Sequence, residues 1–299
     1  THSYSSAASD VYKRQRKGTR FAKVGNSWIY SRLKRTLFGD DKKGDEKYRK
    51  LIVELSSYLN IPEELMCAQR YARIEFANMP SICLHKFRMA FLNEIRNKPL
   101  SAKDQYTGNR FPNLEDRVNA RNNLLEILNS KDPKKRVKGE QLYPHELIKH
   151  GSQDELKLFE AQWNSMKEGV LKSMEKIESN KNTGDKISLG KLVPLVDVSG
   201  SMTGTPMEVA IALGILVSEV NHPDFRNRFI TFESKPKWVT LKEEWSLADK
   251  VNHTRQAPWG GSTDLSAALN MIYEVVDAKK LSEEDLSLIH ISEPTRPTP

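Results

Sequence analysis

The sequence predicts two unlike units in tandem, an N-terminal helical array followed by an α/β unit built on a mostly parallel, doubly wound sheet. Three observations carry this expectation. Apolar residues recur at helical spacing from Tyr48 to about Glu178. Beyond Lys191, short apolar runs alternate with apolar helical segments, the pattern of strands joined by crossover helices. Charge divides at the same place: residues 1–191 hold 37 Lys+Arg against 24 Asp+Glu, a net of +13, whereas residues 192–286 hold 9 against 14, a net of −5. A basic half suits anionic polymers or membrane surfaces, and an acidic half with oxygen ligands suits divalent cations.

In order along the chain, Gly18 to Asp45 is basic and glycine-punctuated, with an apolar and aromatic stretch at Trp28, Ile29, Tyr30, Leu33, Leu37 and Phe38, and reads as loop plus short helix. Tyr48, Leu51, Ile52, Leu55, Tyr58 and Leu59 share a helical face, and Asn60-Ile-Pro62 ends it. Pro62 suits the first turn of the next helix, which runs to about Tyr71. Further helices are expected over Ser81–Asn97, Leu114–Leu128, His145–Lys149 and Gln153 to about Glu178. Asn180–Gly190 is polar and reads as a linker. Leu192–Val196, Arg228–Phe232 and Trp238–Leu241 read as strands, with helices over Met207–Val220 and Asp264 to about Ala278, after which the sheet is expected to be cut off before its next strand.

Composition bounds the function. A chain of 299 residues accommodates two ordinary domains, and 38% hydrophobic against 29% charged residues implies polar helices around a modest core. No apolar run approaches the roughly 18 residues of a membrane span. Two cysteines, Cys67 and Cys83, are too few for a disulfide framework or a zinc site, so a reducing intracellular compartment, the cytoplasm, is expected.

Both ends lack periodicity. Residues 1–15, with Ser-Ala-Ala-Ser-Asp-Val-Tyr-Lys-Arg-Gln, and residues 287–299, part of Leu-Ile-His-Ile-Ser-Glu-Pro-Thr-Arg-Pro, resemble translated sequencing-adapter read-through. The resemblance implies non-native tails on an internal fragment of a larger protein. The expected organisation is therefore a helical region over 16–180, a linker over 181–190 and an α/β domain over 191–286, truncated at its C-terminus.

Chemistry concentrates after the first strand. Asp197-Val-Ser-Gly-Ser201 sets one carboxylate and two hydroxyls on a tight loop, with Gly200 permitting the turn. In open α/β sheets ligands bind beyond the carboxyl ends of strands, where Asp197 stands. Gly260-Gly-Ser-Thr-Asp264 supplies a second loop, in which Thr263 offers another oxygen, while Asp264 caps the following helix or joins the outer contacts of a metal site. Hard divalent cations prefer such oxygen ligands and retain water, so Mg²⁺ or Mn²⁺ is the expected occupant. Trp259 stands beside this loop, either rimming the site or packing beneath it. A separate basic cluster, Lys131, Lys134, Lys135, Arg136 and Lys138, lies in a turn-rich connector and reads either as a solvated loop or as a phosphate-holding surface, with Tyr106, Phe111 and Tyr143 near in sequence to stack bases.

The run Leu192–Ser201 with Gly260–Leu265 resembles the metal-ion-dependent adhesion site of von Willebrand factor A (vWA) domains. That resemblance implies a Rossmann-like vWA domain in which Ser199, Ser201 and Thr263 contact the metal directly, Asp197 acts through water, and a partner's acidic side chain fills the open position. The family's later aspartate has no counterpart before the expected junction near Leu286. Tyr48–Phe91, Leu142-Tyr-Pro-His-Glu-Leu147, Ala161-Gln-Trp163 and Asp197–Val209 resemble an uncharacterised family of plants, fungi and giant viruses that joins a helical region to a vWA domain. More distantly, the layout is similar to the Ro ribonucleoprotein (TROVE) family, whose helical repeats bind RNA, an associational link.

Rival chemistries fit poorly. A haloacid-dehalogenase-type phosphatase needs a second aspartate where Ser199 stands, and a nucleophile elbow needs a glycine that is missing before Val198. His145 and His150 are five residues apart, not the four that set two zinc ligands on one helical face. The expectation is a non-enzymatic scaffold that binds an acidic protein partner through its vWA domain and RNA through its basic region; the alternative is an RNA-binding protein whose vWA domain is mainly structural.

Overall fold

The computed structural model describes residues 31–39, 42–77, 79–94, 109–130, 132, 135–179, 191–197, 202–223, 225–232, 235–257, 264–279 and 286–291. Residues 31–38 are helical. In chain order there follow α1 (Lys42–Tyr58), α2 (Pro62–Cys67), α3 (Ser81–Phe91), α4 (Glu115–Asn129), α5 (Gln153–Ser179), β1 (Lys191–Val196), α6 (Thr205–Val220), β2 (Arg228–Thr231), β3 (Trp238–Thr240), α7 (Leu247–Arg255), α8 (Leu265–Lys279) and β4 (Leu286–Ile291). The chain is thus mostly helical with a small mixed sheet. The expected linker at 181–190 lies outside the described residues, as do residues 1–15 and 292–299.

Two compact units form, one of residues 1–75 and 90–124, the other of residues 76–89 and 125–299. This grouping differs from a division at residues 181–190. Leu142, Leu147, Ile148, Phe159, Trp163 and Met166 share one buried core with Val196, α6, Phe229, Val239 and α7, so α5 belongs to the core of the sheet-bearing unit.

Helix ends explain most differences from the expected boundaries. Pro62 starts α2 as expected, but the helix stops at Cys67 rather than Tyr71, because Gln69 takes a left-handed φ of 55°. A 3₁₀ turn follows at Tyr71–Arg73, and the Asp116 carboxylate accepts both the Tyr71 N–H (2.6 Å) and the Ala72 N–H (3.0 Å). Asn93 (φ 54°) likewise ends α3 at Phe91. The stretch expected as a helix over His145–Lys149 is only a 3₁₀ turn at Pro144–Glu146. The sequence reading missed α7 altogether, although Ser246 and Asp249 form a reciprocal capping box, with Asp249 N–H donating to Ser246 Oγ at 3.2 Å.

The sheet order is β3-β2-β1-β4. β1 runs parallel to β2 (Leu195↔Ile230, Val196↔Thr231) and to β4 (Lys191↔Leu286 through Val196↔Ile291), and β2 pairs antiparallel with β3. The expectation that the sheet stops before its next strand is corrected by β4. Leu286-Ser-Leu-Ile-His-Ile291 carries the alternating and β-branched residues of a strand, and its first three residues fall before or at the start of the segment set aside as a tail. Val193, Leu195 and Ile230 face α8 through Ala268 and Ile272, whereas Val196 and Phe229 face α6, so helices cover both sheet faces.

Two local devices set β1. Pairing with β2 begins only at Leu195, and below it the buried Asn221 takes the place of a strand: its Oδ1 accepts the Leu192 N–H (3.1 Å) and its Nδ2 donates to the Leu192 carbonyl. Backbone groups alternate sides along a strand, so the missing N–H of Pro194 falls on this side, before β2 requires a donor. Gly214 of α6 lies against Val196 so closely that an added Cβ would stand 2.5 Å from Val196 Cγ2. Gly214→Ala is therefore expected to lose stability in urea unfolding, since overpacking of about 1–3 kcal/mol outweighs the roughly 1 kcal/mol of helix propensity gained.

His85 of α3 rests beside the Phe159 ring (centroids 5.6 Å apart), and its Nδ1 has no hydrogen-bond partner. Burial, reinforced by the Arg88 and Lys149 charges and opposed by Glu146 and a Gln162 hydrogen bond, pushes its imidazole pKa below the usual value. The unfolded chain takes up a proton that the folded chain resists, so stability present above about pH 6.5 is lost as pH falls below it. Thermal melts across pH 5 to 7.5 should show this acid loss, and His85→Gln should flatten it; an unchanged slope in the variant assigns the acid sensitivity elsewhere.

Candidate functional site

The most informative position is the carboxyl edge of the sheet. Asp197 follows β1 directly, is only 8% exposed, and stands where Phe232 N–H donates to the Val196 carbonyl (2.9 Å), prolonging the β1–β2 ladder. The chain leaves β1 through α6 to β2 on one side, while β4 pairs on the other, so β1 is the strand at which the winding direction reverses. The crevice at such a reversal is where open α/β sheets bind ligands.

Val196 and Asp197 are buried, and the next described residue, Met202, is 3% exposed and part of the core. Gly204, with φ 100°, then turns the chain into α6, and Pro206 sits in that helix's first turn. Crossover helices that precede strands parallel to β1 begin at the carboxyl edge, so the N-termini of α6 and α8 share the edge with Asp197. Ser199, Ser201, Thr263 and Trp259 lie outside the described residues. Asp264 is exposed and caps α8, its Oδ1 accepting the Ala267 N–H at 2.9 Å. Among the described residues, no group of three or more His, Cys, Asp or Glu side chains could hold a metal ion. Asp197 is thus the buried carboxylate described at this edge, and the hydroxyl-bearing Ser199 and Ser201 that follow it in sequence lie outside the described residues.

The basic connector is tied down more than its composition suggests. Lys135 pairs with Glu126 (3.3 Å) and Arg136 with Glu168 (2.6 Å). The Lys138 carbonyl accepts from the buried Gln162 side chain (3.3 Å), and the Gly139 N–H donates to Ser165 Oγ (3.1 Å). An added Cβ on Gly139 would overlap the Gln162 carbonyl at 1.8 Å, so this glycine is required for the connector to cross α5. Lys131 and Lys134 lie outside the described residues, and Lys138 is exposed. Of the aromatic residues near it in sequence, Tyr143 is exposed and stacks with His145 (5.7 Å), Phe111 belongs to the other unit, and Tyr106 lies outside the described residues.

A shallow cleft opens where Leu147, Phe159, Leu247 and Val251 form an apolar floor beneath Lys149 and His150. Arg255 closes one wall, donating to the Ile148 carbonyl (3.2 Å) and lying 3.1 Å from His150 Nε2. His150 thus contributes to this wall, and His145 stacks on Tyr143.

Residues 191–288 match the model of a family described as a domain of unknown function, DUF7788. The match begins at the first residue of β1 and reaches into β4. Over 249 residues the chain is 32% identical to a protein of Acanthamoeba polyphaga mimivirus described as "Uncharacterized protein L728", an overlap of 82% of this chain and 39% of that protein. The chain thus spans about two fifths of that relative's length. No solved structure matches. Among the described residues, no helix is long and apolar enough to cross a membrane.

Asp264→Ala should cost about 1 kcal/mol of stability through the lost cap, read from the urea-unfolding midpoint. An unchanged midpoint removes the capping role.

Proposed function

We propose that this chain is a non-enzymatic binding protein whose α/β domain is of the vWA type and captures an acidic group of a protein partner through Mg²⁺ or Mn²⁺. The observation that carries the reading is Asp197, a carboxylate buried at the end of the strand where the sheet reverses direction, followed by the Asp-x-Ser-x-Ser motif. Asp197, Ser199, Ser201 and Thr263 would hold the cation, with Asp264 at its margin. When bound, the ion would supply an open coordination position for a carboxylate of the partner. The N-termini of α6 and α8 at the same edge add positive potential that favours such an acidic group.

The test is Mn²⁺ titration of the purified chain, following loss of the free-ion electron paramagnetic resonance signal. One site, displaced by Mg²⁺ and emptied by EDTA, is expected, with Asp197→Asn and the pair Ser199→Ala plus Ser201→Ala each weakening it about tenfold or more while circular dichroism is unchanged. Equal binding by the parent and these variants refutes the metal site.

A second reading, an RNA-binding protein with a mainly structural α/β domain, draws on the distribution of charge. The unit of residues 1–75 and 90–124 holds 22 Lys+Arg against 13 Asp+Glu, a net of +9, whereas the sheet-bearing unit holds 25 against 26, a net of −1. Polyanion affinity follows such an excess.

A further inference from the structure

In the basic unit an exposed aromatic ring is held among guanidinium groups. Phe111 is 37% exposed; the Arg110 guanidinium lies 5.0 Å and the Arg117 guanidinium 5.3 Å from its centroid. Arg117 also stacks on Tyr71, 3.9 Å from that ring's centroid, and donates to the Ala90 carbonyl (2.8 Å), so it bridges the two aromatic side chains and is fixed to the scaffold. Arg70 and Arg73, both exposed, flank Tyr71 in the chain. The carboxylate within this group, Asp116, already accepts the Tyr71 and Ala72 N–H groups.

The presentation of Phe111 is built rather than incidental. Asn93, fully buried and in the left-handed conformation, grips the segment from beneath. Its Oδ1 accepts the Phe111 N–H (3.1 Å), its Nδ2 donates to the Phe111 carbonyl (3.3 Å) and to Asn109 Oδ1 (3.2 Å), and its carbonyl accepts the Arg110 N–H (2.5 Å). Arg121 adds a bond to Asn109 Oδ1 (3.2 Å). A ring whose backbone is fixed by a buried side chain loses little entropy on meeting a ligand. Burial holds the Arg117 pKa below its usual value; Tyr71 and Asp116 oppose the shift, and the Arg110 charge adds to it.

Fixed aromatic rings among arginines supply what a single-stranded nucleic acid needs, π-faces for bases and guanidinium groups for phosphates. Among the described residues of the basic connector, Lys135 and Arg136 have carboxylate partners. We infer that the surface formed by Tyr71, Arg110, Phe111 and Arg117 binds single-stranded nucleic acid, with a base stacked at Phe111 and phosphates on Arg110 and its neighbours. This rests on the RNA-binding reading and gives it a location. Arg110, exposed and held against the ring by a cation–π contact of modest strength, can exchange that contact for a phosphate and leave the ring to a base.

Fluorescence anisotropy with a labelled oligouridine of about 15 nucleotides, and its oligothymidine counterpart, tests the assignment on the full chain. Phe111→Ala is expected to weaken binding roughly tenfold. Phe111→Trp should keep the affinity, with indole fluorescence quenched as the oligonucleotide is added. Arg110→Ala should weaken binding and reduce the salt slope by about one. Parent-like binding by a folded Phe111→Ala chain overturns the assignment while leaving nucleic-acid binding itself intact, as does heparin competing equally with no effect of Phe111→Ala. Absence of binding to either oligonucleotide at low salt overturns both the assignment and the RNA-binding reading.

Discussion

The sheet-bearing unit turns on one buried carboxylate. Glu219, near the C-terminal end of α6, has a side chain only 5% exposed and accepts the Trp163 indole N–H from α5 (2.7 Å) and the Lys250 ammonium from α7 (2.5 Å), with Lys167 at 3.6 Å. Three helices distant in sequence therefore meet at one charge. Burying an ion is tolerated only with partners of this kind, and removing one of a buried pair typically costs about 3–5 kcal/mol, because the remaining charge is stranded. The core of Trp163, Leu216, Leu247 and Val251 surrounds these helices, so directional polar contacts fix how apolar surfaces of similar shape come together. Glu160 of α5 adds a second tie through the Leu247 N–H (2.5 Å).

Much of this fold can be read from the chain. The apolar run Leu192–Val196 and the all-round apolar α6 are visible because a central strand and the helix on it are covered on nearly every side. Where the reading failed, the governing interaction was remote. Nothing local to Tyr71 announces that Asp116 will cap its turn, and nothing local to Asn93 announces that its side chain will hold Arg110 and Phe111. The short α7 has polar outer positions and buries Leu247, Val251 and Thr254, too few apolar positions to dominate a window although its capping box was on view. β4 was obscured because its strand pattern straddles a segment set aside for its resemblance to adapter read-through; the ladder with β1 supplies a pairing context that the string alone lacks.

The candidate sites divide along the same line. The Asp197 loop is legible because its spacing is local: carboxylate, hydroxyl, glycine and hydroxyl follow one another within five residues. The Tyr71–Arg117–Phe111 stack is not, since its members come from three separate segments and Arg117 reads simply as a charge on an amphipathic helix. Basic composition drew attention to Lys131–Lys138, and among its described residues Lys135 and Arg136 have carboxylate partners while the Lys138 carbonyl accepts from Gln162.

The Asn221 clamp has a consequence for folding order. It joins residues 29 apart in sequence, Leu192 and Asn221, whereas the β1–β4 ladder joins Lys191 to Leu286, about 95 residues apart. Loop-closure entropy favours early formation of the nearer contact, so the contact between β1 and the end of α6 is expected to precede the pairing of β4. β4 pairs with β1 on the side opposite β2, so the end of β1 before Asp197 is flanked on both sides only once β4 has docked. Completion of the carboxyl edge beside Asp197 is thus coupled to the pairing of β1 with the strand most distant from it in sequence.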